Sequence, residues 1–120
     1  MRYILVLLLC CFGAVTHAQK DTEPAFKGGW REYYSFSTKQ LKATPAFTKA
    51  NVTGITYVRF RVTVTGEVDS IRIVRPFGFG MDEEAIRVLK LTSGNWIPAQ
   101  KSGKQIASFV TVPFRWHPDE

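Results

Sequence analysis

An α+β fold, with one antiparallel sheet of about three strands and helices on one of its faces, is predicted by three features of the sequence. Residues 55–65 alternate strictly between apolar and polar side chains, and residues 68–75 return with a similar period. Residues 82–91 combine an acidic first turn, an apolar stripe and a basic last turn, as a surface helix does. The chain has 120 residues, 45% hydrophobic and 22% charged, with 16 Lys plus Arg against 10 Asp plus Glu. That length supports a single domain with a single core.

The first residues read as an export signal. Arg2 supplies a positive start, residues 4–15 are apolar, and Thr16-His17-Ala18 offers small residues before Gln19. Removal is expected between Ala18 and Gln19, which makes the mature chain an exported one. The apolar run is shorter than the roughly 20 residues that cross a bilayer, so no membrane anchor is expected after cleavage. Acylation of Cys10 or Cys11 is disfavoured by the bulky Leu9 and Cys10 that precede them. Both cysteines and His17 fall in this segment, so the exported chain keeps only His117. Disulfides, cysteine nucleophiles and zinc sites built on Cys and His are thereby excluded. Export also makes nucleic acid a poor partner, despite the net charge of +6.

Residues 19–28 are polar, with Pro24 and Gly28-Gly29, and read as a short leader into a domain over 29–120. Trp30, Tyr33, Tyr34, Ser37 and Leu41 recur at helical spacing between Gly29 and Lys42. Thr44-Pro45 ends that helix, and Pro45 can start a further turn toward Ala50. Next comes the alternating strand, with Val58, Phe60, Val62 and Val64 on one face and Tyr57, Arg59, Arg61 and Thr63 on the other. Gly66-Glu67 turns the chain, and Ile71 and Ile73 bring the returning strand onto the same apolar face as an antiparallel hairpin.

Pro76-Phe77-Gly78-Phe79-Gly80 breaks the pattern before the helix that begins at Asp82-Glu83-Glu84 and buries Ala85, Ile86, Val88 and Leu89. Ser93-Gly94-Asn95 stops it. Trp96-Ile97-Pro98-Ala99 continues extended, and Lys101 to Lys104, around Gly103, forms an exposed basic turn. A final strand over residues 105–116 presents Val110, Val112, Phe114 and Trp116 on one face. Pro113 cannot donate to a ladder on both sides, so this is expected to be an edge strand. The predicted core comprises Val58, Phe60, Val62, Ile71, Ile73, Ile86, Leu89, Val110 and Val112, with Trp96 packed across the sheet end.

Little in this pattern points to catalysis. Asp82, Glu83, Glu84 and His117 are the candidates, but consecutive carboxylates on a helix diverge and their role at the dipole accounts for them. One imidazole near the C-terminus completes no Ser, His and Asp set, so no catalytic residue, metal or cofactor is expected. Gly78-Phe79-Gly80 lacks the lysine and third glycine of a phosphate loop and reads as a strand-to-helix turn. The outward sheet face carries Tyr57, Arg59, Arg61, Arg72 and Arg115. It is either a solvated face kept soluble by charge or a surface that attracts an acidic partner.

Several pieces, in order, resemble the C-terminal domain of the energy transducer TonB: Pro45, then Gly54 with Tyr57-Val58-Arg59-Phe60-Arg61-Val62; Gly66-Glu67-Val68; Ile73-Val74-Arg75; Met81-Asp82-Glu83-Glu84-Ala85-Ile86; Trp96-Ile97-Pro98-Ala99; Gly103-Lys104; and Val110-Thr111-Val112-Pro113-Phe114. Upstream, Pro24-Ala25-Phe26-Lys27-Gly28-Gly29 is similar to the leader of Bacteroidetes-type members. The resemblance implies a periplasmic, non-enzymatic α+β domain, a three-stranded antiparallel sheet with two helices on one face, linked to energy-dependent nutrient transport. Its partner would be the TonB box of an outer-membrane transporter, an extended peptide added as a strand beside the last strand of the sheet. On this chain the contacts would be Ser108, Phe109, Val110, Thr111, Val112 and Arg115, with Thr44 and Pro45 as a second contact. Lys101 and Lys104 would add a salt-dependent attraction. The alternative is an envelope structural or assembly protein that uses the same edge to form a homodimer.

Overall fold

The computed structural model describes residues 20–118. The export signal read over residues 1–18, with Cys10, Cys11 and the cleavage point after Ala18, lies outside the described residues. The elements run β1 (Ala25–Phe26), α1 (Trp30–Gln40), α2 (Pro45–Ala50), β2 (Gly54–Val62), β3 (Val68–Arg75), α3 (Met81–Leu91), β4 (Trp96–Ile97), β5 (Ala99–Lys101), β6 (Lys104–Ile106) and β7 (Ser108–Trp116).

The main sheet has the order β3-β2-β7 and is antiparallel throughout. β2 takes the centre because its alternation gives it the strongest apolar face. Val58, Phe60 and Val62 are fully buried on that face, while Arg59 remains exposed on the other. The β2–β7 ladder is regular from Gly54↔Trp116 to Val62↔Ser108. The β2–β3 ladder instead shifts register twice, at Tyr57/Val58 and at Arg59/Arg61. Ser70, at φ 52°, sits in the second irregularity, which acts as a bulge. These shifts keep Val68, Ile71 and Ile73 packed against the core and Arg72 on the outward face, although the residues no longer alternate by two.

The chain then turns from β3 into α3 through three consecutive residues with positive φ, Gly78, Phe79 and Gly80. Glycine suits the outer two, since a Cβ there would be strained. Asp82 closes this turn: its carboxylate accepts from the amides of Phe77 (2.9 Å) and Gly78 (2.9 Å) and from Thr56 Oγ1 (2.6 Å). The amides that a phosphate loop would turn toward its ligand are therefore taken by a side chain of the protein. α3 lays Met81, Ala85, Val88 and Leu89 on the core, with Ile86 half-buried at its rim.

Trp96 is 1% exposed and forms the hub of an aromatic cluster, its ring 5.3 Å from Phe60, 5.2 Å from Phe26 and 5.6 Å from Tyr33. Its Nε1 donates to Thr92 Oγ1 at 2.9 Å. Nearby, the Gly66 carbonyl receives the Gly94 amide, and a Cβ on Gly66 would lie 2.4 Å from the Trp96 carbonyl oxygen. The hairpin turn thus touches the end of the helix–strand connection, and only glycine leaves room for it.

Several details differ from the sequence reading. The segment read as a leader belongs to the fold: β1 pairs with β4, Phe26 is buried, and Thr22 exchanges backbone hydrogen bonds with Gln100. The strand expected over 105–116 is two strands. β6 folds back on β5 as a separate ribbon with Lys101 opposite Lys104, and the chain passes Ala107 before entering the sheet as β7. Val64, expected inward, is 49% exposed because β2 ends at Val62 and Thr63 begins the loop, its hydroxyl accepting the Glu67 amide. Val110 is half-buried because it lies near the free end of an edge strand.

Candidate functional site

The sheet has two edges, β3 and β7, and they differ in kind. β3 is interrupted twice, and its first amide, Val68 N–H, donates to Ser93 Oγ at 2.9 Å. Bulges of this sort blunt an edge against further pairing. β7 is unbulged along nine residues.

Pro113 sets the phase of that edge. It lies within an unbroken ladder, opposite Tyr57. Having no N–H, it occupies a position whose backbone groups point away from β2. Counting by two, the amides and carbonyls of Phe109, Thr111 and Arg115 also point to the open side, whereas those of Ser108, Val110 and Val112 serve the β2 ladder. Side chains follow the same alternation. Phe109 (43% exposed), Thr111 and Arg115 face outward, while Val112, Phe114 and Trp116 are buried against the helices. The predicted contacts Ser108, Phe109, Val110, Thr111, Val112 and Arg115 therefore divide into an edge-facing set and a ladder-facing set.

A cleft of about 370 Å³ runs between the end of β7 and the α1–α2 connection, where Arg115, Trp116 and His117 meet Leu41, Ala43 and Phe47. The predicted second contacts sit beside it and do not line it. Thr44 caps α2, its Oγ1 accepting the Phe47 amide at 3.1 Å and donating to the Phe79 carbonyl, which leaves its hydroxyl committed. Pro45 is exposed at the first position of α2.

The outward face of the sheet is basic, as the sequence indicates. Arg61 forms a two-pronged pair with Asp69, Nε to Oδ1 at 2.8 Å and Nη2 to Oδ2 at 2.7 Å. This hydrogen bonding holds the Asp69 carboxyl below the usual aspartate range and raises Arg61 further. Asp69 was missed by sequence reasoning because the bulge at Ser70 alters the spacing on β3. Arg59 stacks its guanidinium over Phe109, 4.4 Å from the ring centroid, a cation–π contact.

Of the acidic candidates, Asp82 is engaged in closing the turn before α3, as described above. Glu84 accepts the Lys42 amide (2.6 Å) and the Arg87 guanidinium (2.6 and 3.0 Å), and Arg87 also reaches the Gln40 carbonyl. The Arg87 hydrogen bonds, outweighing partial burial, hold its carboxyl below the usual glutamate range. Glu83 and His117 are exposed. No group of three or more His, Cys, Asp or Glu able to hold a metal occurs among the described residues, and no helix among them is long and apolar enough to cross a membrane.

Among the described residues, the fold and its edges thus define a small α+β domain with one regular strand edge that no further strand pairs, beside a basic sheet face. The family described as Gram-negative bacterial TonB protein C-terminal matches residues 46–118, and the chain belongs to it. No curated protein and no solved structure matches the chain. Members of this family are periplasmic, transport-associated domains of Gram-negative bacteria that act with outer-membrane transporters in energy transduction.

Proposed function

We propose that this chain is a periplasmic module that binds an extended peptide, the TonB box of an outer-membrane transporter, by adding it as a strand to β7. The reading is carried by one observation: β7 is the regular edge of the sheet, with the backbone groups of Phe109 and Thr111 turned outward. Main-chain hydrogen bonds supply the affinity in this mode and alternate side chains the selectivity. Arg115 on the strand, with Lys101 and Lys104 on the neighbouring ribbon, favours acidic segments at low salt. The domain performs no catalysis in this role, and export proceeds by cleavage between Ala18 and Gln19.

Titration of the exported domain with an uncharged extended heptapeptide tests the proposal. The amide resonances of Phe109 and Thr111 should shift most, and Thr111→Pro should abolish binding while leaving the β2 ladder and the remaining spectrum intact. Shifts confined to β3, or undiminished binding by Thr111→Pro, would rule the reading out. The rival use of this edge, pairing with a second copy, predicts a dimer in a sedimentation concentration series and no competition by peptide.

A further inference from the structure

On the outward face of the sheet, Arg59 and Arg72 are direct cross-strand partners. Like charges in this position repel, and neither has an acidic partner among the described residues. The acid closest along β3, Asp69, is already held in the two-pronged pair with Arg61. Between the two guanidinium-bearing side chains lies an open cleft of about 360 Å³, lined by Arg59, Ser70, Arg72 and Phe109. Its fourth wall, Phe109, belongs to β7 and carries the Arg59 guanidinium over its ring. That contact orients one cation, and the opposite strand presents the other across the cleft.

We infer that Arg59, Arg72 and Phe109 form a carboxylate-reading site that takes an acidic flank of the peptide docked on β7. The inference rests on the strand-addition reading and deepens it by assigning a charge preference to one end of the peptide. Guanidinium groups bind carboxylates through paired N–H donors, and two of them facing one cleft hold an anion better than either alone. A carboxylate placed there relieves the repulsion between Arg59 and Arg72 in the same step. Phe109 links the two regions: its backbone faces the open edge, and its ring borders the cleft. A segment leaving the edge at Phe109 therefore passes the cleft directly.

Three peptides distinguish the outcomes: the uncharged heptapeptide above, and the same peptide with two glutamates added at one end or at the other, since strand direction decides which end passes Phe109. One acidic version should bind about fivefold more tightly than the uncharged peptide, as two exposed ion pairs allow. High salt should remove the advantage. In the Arg59→Gln/Arg72→Gln double variant the affinity ratio should fall to about one. A ratio unchanged in that variant would assign the preference to Arg115 or to the lysine ribbon and overturn the inference. If none of the three peptides binds, strand addition fails, and the site is then read alone by titrating triglutamate. Shifts of both the Arg59 and Arg72 Nε–H resonances would sustain the carboxylate site, and their absence would refute it.

Discussion

Trp116 Nε1 donates to Thr56 Oγ1 at 2.8 Å, and the same hydroxyl donates to Asp82 Oδ1 at 2.6 Å. Through Thr56, which is fully buried, the last residue of β7 is joined to the centre of the sheet and to the first turn of α3. The proposed docking strand is thereby tied into the core at its C-terminal end, away from Phe109 and Thr111. Peptide capture at Phe109 and Thr111 can then proceed on a strand whose other end is fixed.

Thr56→Val keeps the shape and removes both hydrogen bonds, leaving a buried indole N–H without a partner. We expect a loss of about 2 kcal/mol in a denaturant titration, the cost of orphaning a buried donor. Thr56→Ser, which retains the hydroxyl, should cost about 1 kcal/mol, chiefly through its missing methyl group.

Phe60 is fully buried and packs on Trp96. Phe60→Ala should cost about 3–5 kcal/mol, a large part of the stability of a domain this size. Arg72→Ala should instead stay within about 0.5 kcal/mol of the parent, because Arg72 is exposed and opposite a like charge. Equal melting temperatures for the parent and Phe60→Ala would contradict the observed core face of β2.

Acid sensitivity should report Glu84. Its folded-state pKa lies below the usual glutamate range, chiefly through hydrogen bonds from Arg87. The stability linked to it is therefore complete above the unfolded-state value and is lost as the pH falls through the folded-state one. Glu84→Gln should flatten that acid limb in a series of unfolding midpoints and leave the slope at neutral pH as it was.

The hydroxyl groups of Tyr33 and Ser37 are buried without a hydrogen-bond partner. Burial pushes the Tyr33 phenol well above its ordinary pKa. Tyr33→Phe retains the ring contacts with Phe26 and Trp96 and removes an unsatisfied group, so it should stabilise the domain by about 1 kcal/mol. In the parent, stability should fall as the pH rises past the unfolded-state tyrosine value, because only the unfolded chain ionises readily there. The variant should lose that alkaline decline.

Local patterning was sufficient for much of the architecture. The period-two alternation of Val58, Phe60 and Val62 marked the central strand, the charge gradient from Asp82 to Lys90 marked α3, and Pro113 marked β7 as an edge, each through the chemistry of neighbouring residues. What depended on distant partners could not be read in this way. β1 has only two residues and exists because β4 offers it a ladder, and β6 leaves the path of β7 because β5 pairs with it. The same holds for the site. Outward-facing arginines were legible from alternation, but the bulge at Ser70 decided that Arg61 meets Asp69 while Arg59 meets Arg72. Asp82 looked like a helix-dipole residue until the fold brought Thr56 and the Phe77 and Gly78 amides to its carboxylate. Side-chain period is written in adjacent residues, whereas register, bulges and the partners of buried polar groups arise only when segments far apart in the chain compete for the same backbone and the same carboxylates.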